Sequence, residues 1–119
     1  MTENHEHFIR EAIQLAEMAA EHGNEPFGAL LVCDGEILLT AENTILTESD
    51  VTCHAELNLV SKASRSISAD IRGRCTLYTS TEPCAMCATA IYWAGISRIV
   101  YACPAEELAK IKGSSFLLP

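Results

Sequence analysis

No stretch of the sequence approaches the ~18 consecutive apolar residues that a membrane helix needs, so no membrane span is expected. Basic residues are scarce. Eight Lys and Arg stand against sixteen Asp and Glu, the net charge is −8, and no Lys/Arg cluster occurs. Proteins that grip duplex nucleic acid or tRNA usually present a basic face that neutralises phosphates. This balance therefore disfavours a polynucleotide partner and favours a small, weakly charged ligand. No internal repeat, low-complexity tract or Pro/Gly/Ser linker divides the chain. The opening residues, Met1 to Glu6, are polar and acidic and do not read as a secretory or mitochondrial targeting segment, which makes the cytoplasm the expected location.

What is present is an ordinary globular composition: 119 residues, 49% apolar and 20% charged, enough for one domain with its own core. Six cysteines stand at positions 33, 53, 75, 84, 87 and 103. A chain this apolar does not need disulfide staples, so metal ligation by some cysteines and burial of the rest is the expectation. Only Cys84 and Cys87 have ligand spacing. Cys53 directly precedes His54, and is the one further cysteine that adjacency brings toward a site. His5, His7 and His22 have no ligand spacing to the Cys pair and are expected to be solvated.

Residues 8–21 read as an amphipathic helix, with Ile9, Ala12, Ile13, Ala16, Ala19 and Ala20 on one face and Gly23 beyond its end. Two strands follow, Phe27–Cys33 and Glu36–Ala41, joined by Asp34-Gly35, a pair that suits a tight hairpin turn. Residues 42–53 read as a polar loop. A helix is expected over His54–Arg65, a strand over Arg74–Ser80, and a third helix from Cys84 to Ala94, opened by Pro83 and stopped by Gly95. Arg98–Ala102 reads as a strand and 105–112 as a short last helix. Strands alternating with helices after residue 53 imply parallel pairing, with the first hairpin antiparallel at one side.

Two fragments carry chemistry: His54-Ala55-Glu56 and Glu82-Pro83-Cys84-Ala85-Met86-Cys87. Cys-x-x-Cys at a helix start puts two sulfurs one turn apart on one face, close enough to share a metal ion. With His54 the set becomes Cys₂His, and three protein ligands leave a tetrahedral zinc one position for water, the catalytic pattern. Both fragments sit at expected helix N-termini, whose partial positive charge favours thiolates. Glu56, two residues after a ligand, can reach the metal-bound water without ligating. Zinc brings that water's pKa to roughly 7, and Glu56 is then placed to take its proton. His-x-Glu followed by Pro-Cys-x-x-Cys is the signature of zinc nucleobase deaminases.

The chain resembles the cytidine/deoxycytidylate deaminase superfamily, from Pro26-Phe27-Gly28-Ala29 through Val100-Tyr101. Within it, Leu77 through Cys87 followed by Ala90-Ile91-Tyr92-Trp93-Ala94 is most similar to the guanine deaminase and nucleoside deaminase branch. The resemblance implies an α/β fold, a three-layer α/β/α sandwich with a mixed β-sheet, in a single domain over 1–119 that forms a homodimer. It implies hydrolytic deamination of an amino-substituted nucleobase or nucleoside. Attack by zinc-activated water on the amino-bearing carbon, with Glu56 moving the proton, would leave a carbonyl and ammonia. His54, Cys84 and Cys87 are the implied zinc ligands. Asn43 matches the residue that holds the base, Phe27 and Trp93 match positions near the pocket, and the backbone around Ala29, Ala55 and Cys84 is implied to bond the base. Family members continue beyond the point where this sequence stops, with a further strand and helix. Guanine deaminases place an acid there, and the stretch from Lys112 to Phe116 has none. A guanine-like purine is favoured over free cytosine and over tRNA adenosine. A non-catalytic, zinc-holding domain is the reading from another class, and the intact Glu56 argues against it.

Overall fold

A computed structural model of the chain describes residues 4–112. The stretch 113–116, singled out above for its lack of an acid, lies outside the described residues. Helix α1 (His5–Glu21) starts three residues earlier than its periodicity suggests, because the Asn4 side chain accepts the His7 N–H and caps it. Its buried stripe is Phe8, Ala12, Ala16 and Ala19, whereas Ile13 is 40% exposed and Ala20 also faces outward. The sheet dictates that choice. A Cβ on Gly28 would lie 2.5 Å from the Leu15 Cβ and 2.6 Å from the Ala12 carbonyl oxygen, so the helix lies directly on the strand backbone where the strand carries no side chain.

Strands β1 (Gly28–Cys33) and β2 (Glu36–Glu42) form the expected hairpin, each displaced by one residue at one end. Asp34 and Gly35 take φ of 52° and 79°, the left-handed pair that matches strand twist in a two-residue turn. The expected loop over 42–53 contains a one-turn helix, α2 (Ile45–Glu48). Asn24 makes it possible: its buried Oδ1 accepts both the Leu46 and Thr47 N–H groups, each at 3.0 Å. Helix α3 (Ala55–Ser66) and a second short helix, α4 (Ala69–Arg72), which the sequence pattern did not suggest, lead to β3 (Thr76–Thr81). Helix α5 (Ala85–Trp93), β4 (Arg98–Cys103) and α6 (Ala105–Lys112) complete the order.

The four strands lie in the order β2-β1-β3-β4. β3 and β4, connected through α5, pair in parallel as expected. β1 is antiparallel to both neighbours, so β2 and β3, the strands joined through α3, are parallel in direction but separated by β1. Strand–helix alternation thus fixes direction, and the hairpin strand takes the place between. Helix α1 covers one face, against Leu30, Val32 and Tyr78, and the opposite face packs Leu31, Leu77, Leu59 and Ile91. With both faces covered, every β1 residue is buried. This is the mixed-sheet α/β/α sandwich that the resemblance implied. Among the described residues no helix is long and apolar enough to cross a membrane.

Candidate metal and active site

The two chemistry-bearing fragments lie far apart in sequence and meet at the N-termini of adjacent helices. His54 is the N-cap residue of α3 and Cys84 that of α5, so the side chains enter the site where the first-turn N–H groups of both helices lack intrahelical partners and give a partial positive charge. His54 Nδ1 and Cys84 Sγ are 3.6 Å apart, and one ligand atom from each of His54, Cys84 and Cys87 falls within 4.8 Å of the others. A tetrahedral zinc, with Zn–S about 2.3 Å and Zn–N about 2.0 Å, requires neighbouring donors roughly 3.5–3.8 Å apart. The His54–Cys84 pair already has that spacing, and with Cys87 within 4.8 Å of both the donor set is compatible with a zinc ion.

The charges there are strongly coupled. Hydrogen bonds from Cys87 and then His54 hold the Cys84 thiol down at about 3, well inside the thiolate range at neutral pH. Cys87, buried and donating to Cys84, is pushed far up, and the same Cys84 contact raises His54. Glu56, the second residue of α3, is 4% exposed, and its burial lifts the carboxyl to about 7. A carboxyl in that range both accepts and returns a proton near neutral pH.

A cavity of about 200 Å³ opens on this cluster, lined by His54, Cys84 and Glu56 on one side. Asn43, Phe27 and the apolar pair Ile45-Leu46 of α2 form another wall, and Glu25, Thr81, Glu82 and Leu108 of α6 complete it. Asn43 is 2% exposed; its N–H donates to the Phe27 carbonyl and its Oδ1 accepts the Ile45 N–H at 3.0 Å. The turn-capping and ligand-facing roles of Asn43 are thus compatible: Oδ1 keeps a second lone pair, and Nδ2 has no bonded partner among the described residues. Phe27 likewise lines the cavity while packing on the core.

Other sequence-derived candidates lie elsewhere. Trp93 is 78% exposed, edge-on to Tyr92, and does not line the cavity. Ala29 is fully buried between its ladder partners Ala41 and Thr79, and Ala55 is fully buried; neither lines the cavity. Cys53 lines a separate groove with Thr44 and Glu48 and is not part of the cavity wall. His5 and His22 are not simply solvated: His5 Nδ1 is 2.6 Å from the Tyr78 hydroxyl, and His22 Nδ1 is 2.7 Å from Glu42. Sequence reading missed Ile45, Leu46, Glu25 and Leu108. An apolar pair inside an otherwise polar loop was the available signal for the first two.

A family model described as the cytidine and deoxycytidylate deaminase zinc-binding region matches residues 2–103. A protein described as a probable cytosine deaminase from Schizosaccharomyces pombe is 38% identical over 111 residues, 91% of this chain and 65% of that protein. Guanine deaminase from Bacillus subtilis is 41% identical over 108 residues, covering 90% of this chain and 69% of that one. The X-ray structure of that organism's guanine deaminase superposes with a TM-score of 0.83 at 38% identity, over 92% of this chain and 71% of the other. A tRNA-specific adenosine deaminase from Aquifex aeolicus is 34% identical over 96 residues, 81% of this chain and 64% of its own. The chain thus spans about two thirds of the length of these relatives.

Proposed function

The chain belongs to the cytidine and deoxycytidylate deaminase family, and on that premise we propose that it is a zinc-dependent hydrolytic deaminase of a small aminated nucleobase or nucleoside, a guanine-like purine first. The observation that carries the reading is a buried Glu56, its carboxyl raised to about 7, that lines one small cavity with His54 and Cys84 of the zinc-compatible His54–Cys84–Cys87 group.

His54, Cys84 and Cys87 would hold the metal, which supplies a water whose pKa is lowered to about 7. The Glu56 carboxyl would accept a proton, deliver it to the ring nitrogen beside the amino-bearing carbon, and then move a proton to the departing amine. The balance is one water consumed, one carbonyl formed and one ammonia released. Asn43 orients the ring through Nδ2 as donor and the remaining Oδ1 lone pair as acceptor, and Phe27 offers an apolar face. A net charge of −8 and the lack of a basic strip favour a free small molecule over tRNA. The similarity to guanine deaminase favours guanine.

Two coarser expectations accompany this one. Tyr92 and Trp93, 73% and 78% exposed on α5, make an apolar patch suited to a two-fold contact between copies, which supports a homodimer. Six free thiols suit the reducing cytoplasm. The proposed function is tested by ammonia release from zinc-loaded protein and its Glu56→Ala variant. Activity that needs Glu56 supports the assignment, and activity unaffected by the substitution contradicts it.

A further inference from the structure

Helix α6 starts with an unusual difficulty. Pro104 occupies its N-cap position and has no side-chain oxygen to accept the first-turn N–H groups. The acceptor comes instead from across the site: Glu82 Oε1 takes the Ala105 N–H at 2.8 Å. The same residue's own N–H donates to the Cys103 carbonyl at 2.8 Å, so Glu82 is bonded to both sides of the β4–α6 junction. Glu82 also begins the Glu82-Pro83-Cys84 turn that delivers a metal-site sulfur, and α6 makes no extensive packing against any other described element. One turn along α6, half-buried Leu108 forms part of the cavity wall opposite Asn43 and Phe27.

We propose that Glu82 is a positioning residue: its carboxylate pins the start of α6 to the turn carrying Cys84, fixing Leu108 as a wall of the cavity against which the base is held. At about 200 Å³ the cavity is below the roughly 300–1,000 Å³ that drug-sized ligands occupy, which suits a lone heterocycle held against the Leu108 wall, and its mouth stays open on one side. The role does not require Glu82 to touch the reacting atoms. It requires a group of the right length that accepts from Ala105. The substrate part of this inference rests on the proposed deaminase activity; the tethering part does not.

The zinc-loaded chain is compared with its Glu82→Ala, Glu82→Asp and Glu82→Gln variants by amide hydrogen exchange and by steady-state kinetics on free bases. Loss of a charge-assisted bond to a helix end should speed exchange at Ala105–Leu108 about ten-fold or more in Glu82→Ala, with α3 unchanged and zinc retained. Glu82→Asp keeps the charge but shortens the reach, so it should speed exchange at the same amides. Glu82→Gln keeps an accepting Oε1 of the right length and should restore protection. In kinetics, Glu82→Ala should raise KM for the base about ten-fold with a much smaller change in kcat, the mark of lost uniform binding. Unchanged exchange at Ala105–Leu108 in both Ala and Asp variants overturns the tether. A fall in kcat with KM unchanged, in Ala and Gln alike, overturns the positioning role. If the wild type deaminates no base, the functional reading fails, while the exchange arm still decides whether Glu82 holds α6.

Discussion

Glu56 concentrates the proposed chemistry and its cost in one side chain. Burial raises its carboxyl from 4.5 to about 7, which corresponds to about 3 kcal/mol of unfavourable ionisation in the folded, metal-free protein at high pH. The sign follows from the direction of the shift. Below 4.5 both states are protonated and the penalty is absent; between 4.5 and about 7 it grows; above that it is complete. Glu56→Gln should therefore stabilise chelator-treated protein against urea at pH 8 and have no such effect at pH 4. Equal effects at both pH values would contradict the buried-carboxyl account. Turnover should respond in the opposite sense, with Glu56→Ala retaining zinc but losing a factor on the order of 10² or more. Asn43→Ala should cut kcat/KM for the preferred base without releasing zinc, because the polar edge of the base is left unpaired. The grouping of His54, Cys84 and Cys87 with Glu56 beside them was legible in the sequence because the candidate chemistry requires short, fixed spacings around helix starts. Leu46, Glu25 and Leu108 were not, since each reaches the cavity from a separate segment and carries no spacing of its own.

At the scale of elements, the site depends on two helix starts being held side by side at the end of the sheet. Cys84→Ala or Cys87→Ala should lose zinc and, with it, part of the folded state's stability, as followed by metal analysis and thermal unfolding in parallel. A variant that keeps one zinc per chain would place the ligands elsewhere. On the other face, α1 meets β1 at Gly28 with no room for a methyl group, so Gly28→Ala should destabilise the protein by about 1–3 kcal/mol by forcing helix and strand apart. Hairpin, helix order and sheet class were readable because turn residues and apolar periods are local. The details that escaped were decided by partners distant in sequence. Asn24 caps α2 inside an expected loop, and that β1 rather than β2 is the hairpin strand lying against β3 is settled by the ladder between them. The face of α1 likewise follows the strand it touches, which is why Ile13 is outside and Phe8 inside.

For the whole molecule, charge and family membership support the proposed deaminase activity on a small ring. The exposed Tyr92–Trp93 patch predicts association: sedimentation should show a dimer that Trp93→Glu converts to a monomer, and a monomeric wild type would leave that patch without its proposed role. The central claim is the reaction itself. Ammonia release should be measured from zinc-loaded protein with guanine, cytosine, adenine, their nucleosides, related aminated heterocycles and a tRNA anticodon stem. The account predicts release from a free base, guanine foremost, abolished by Glu56→Ala. Deamination of the tRNA stem with no activity on any free base or nucleoside would contradict it.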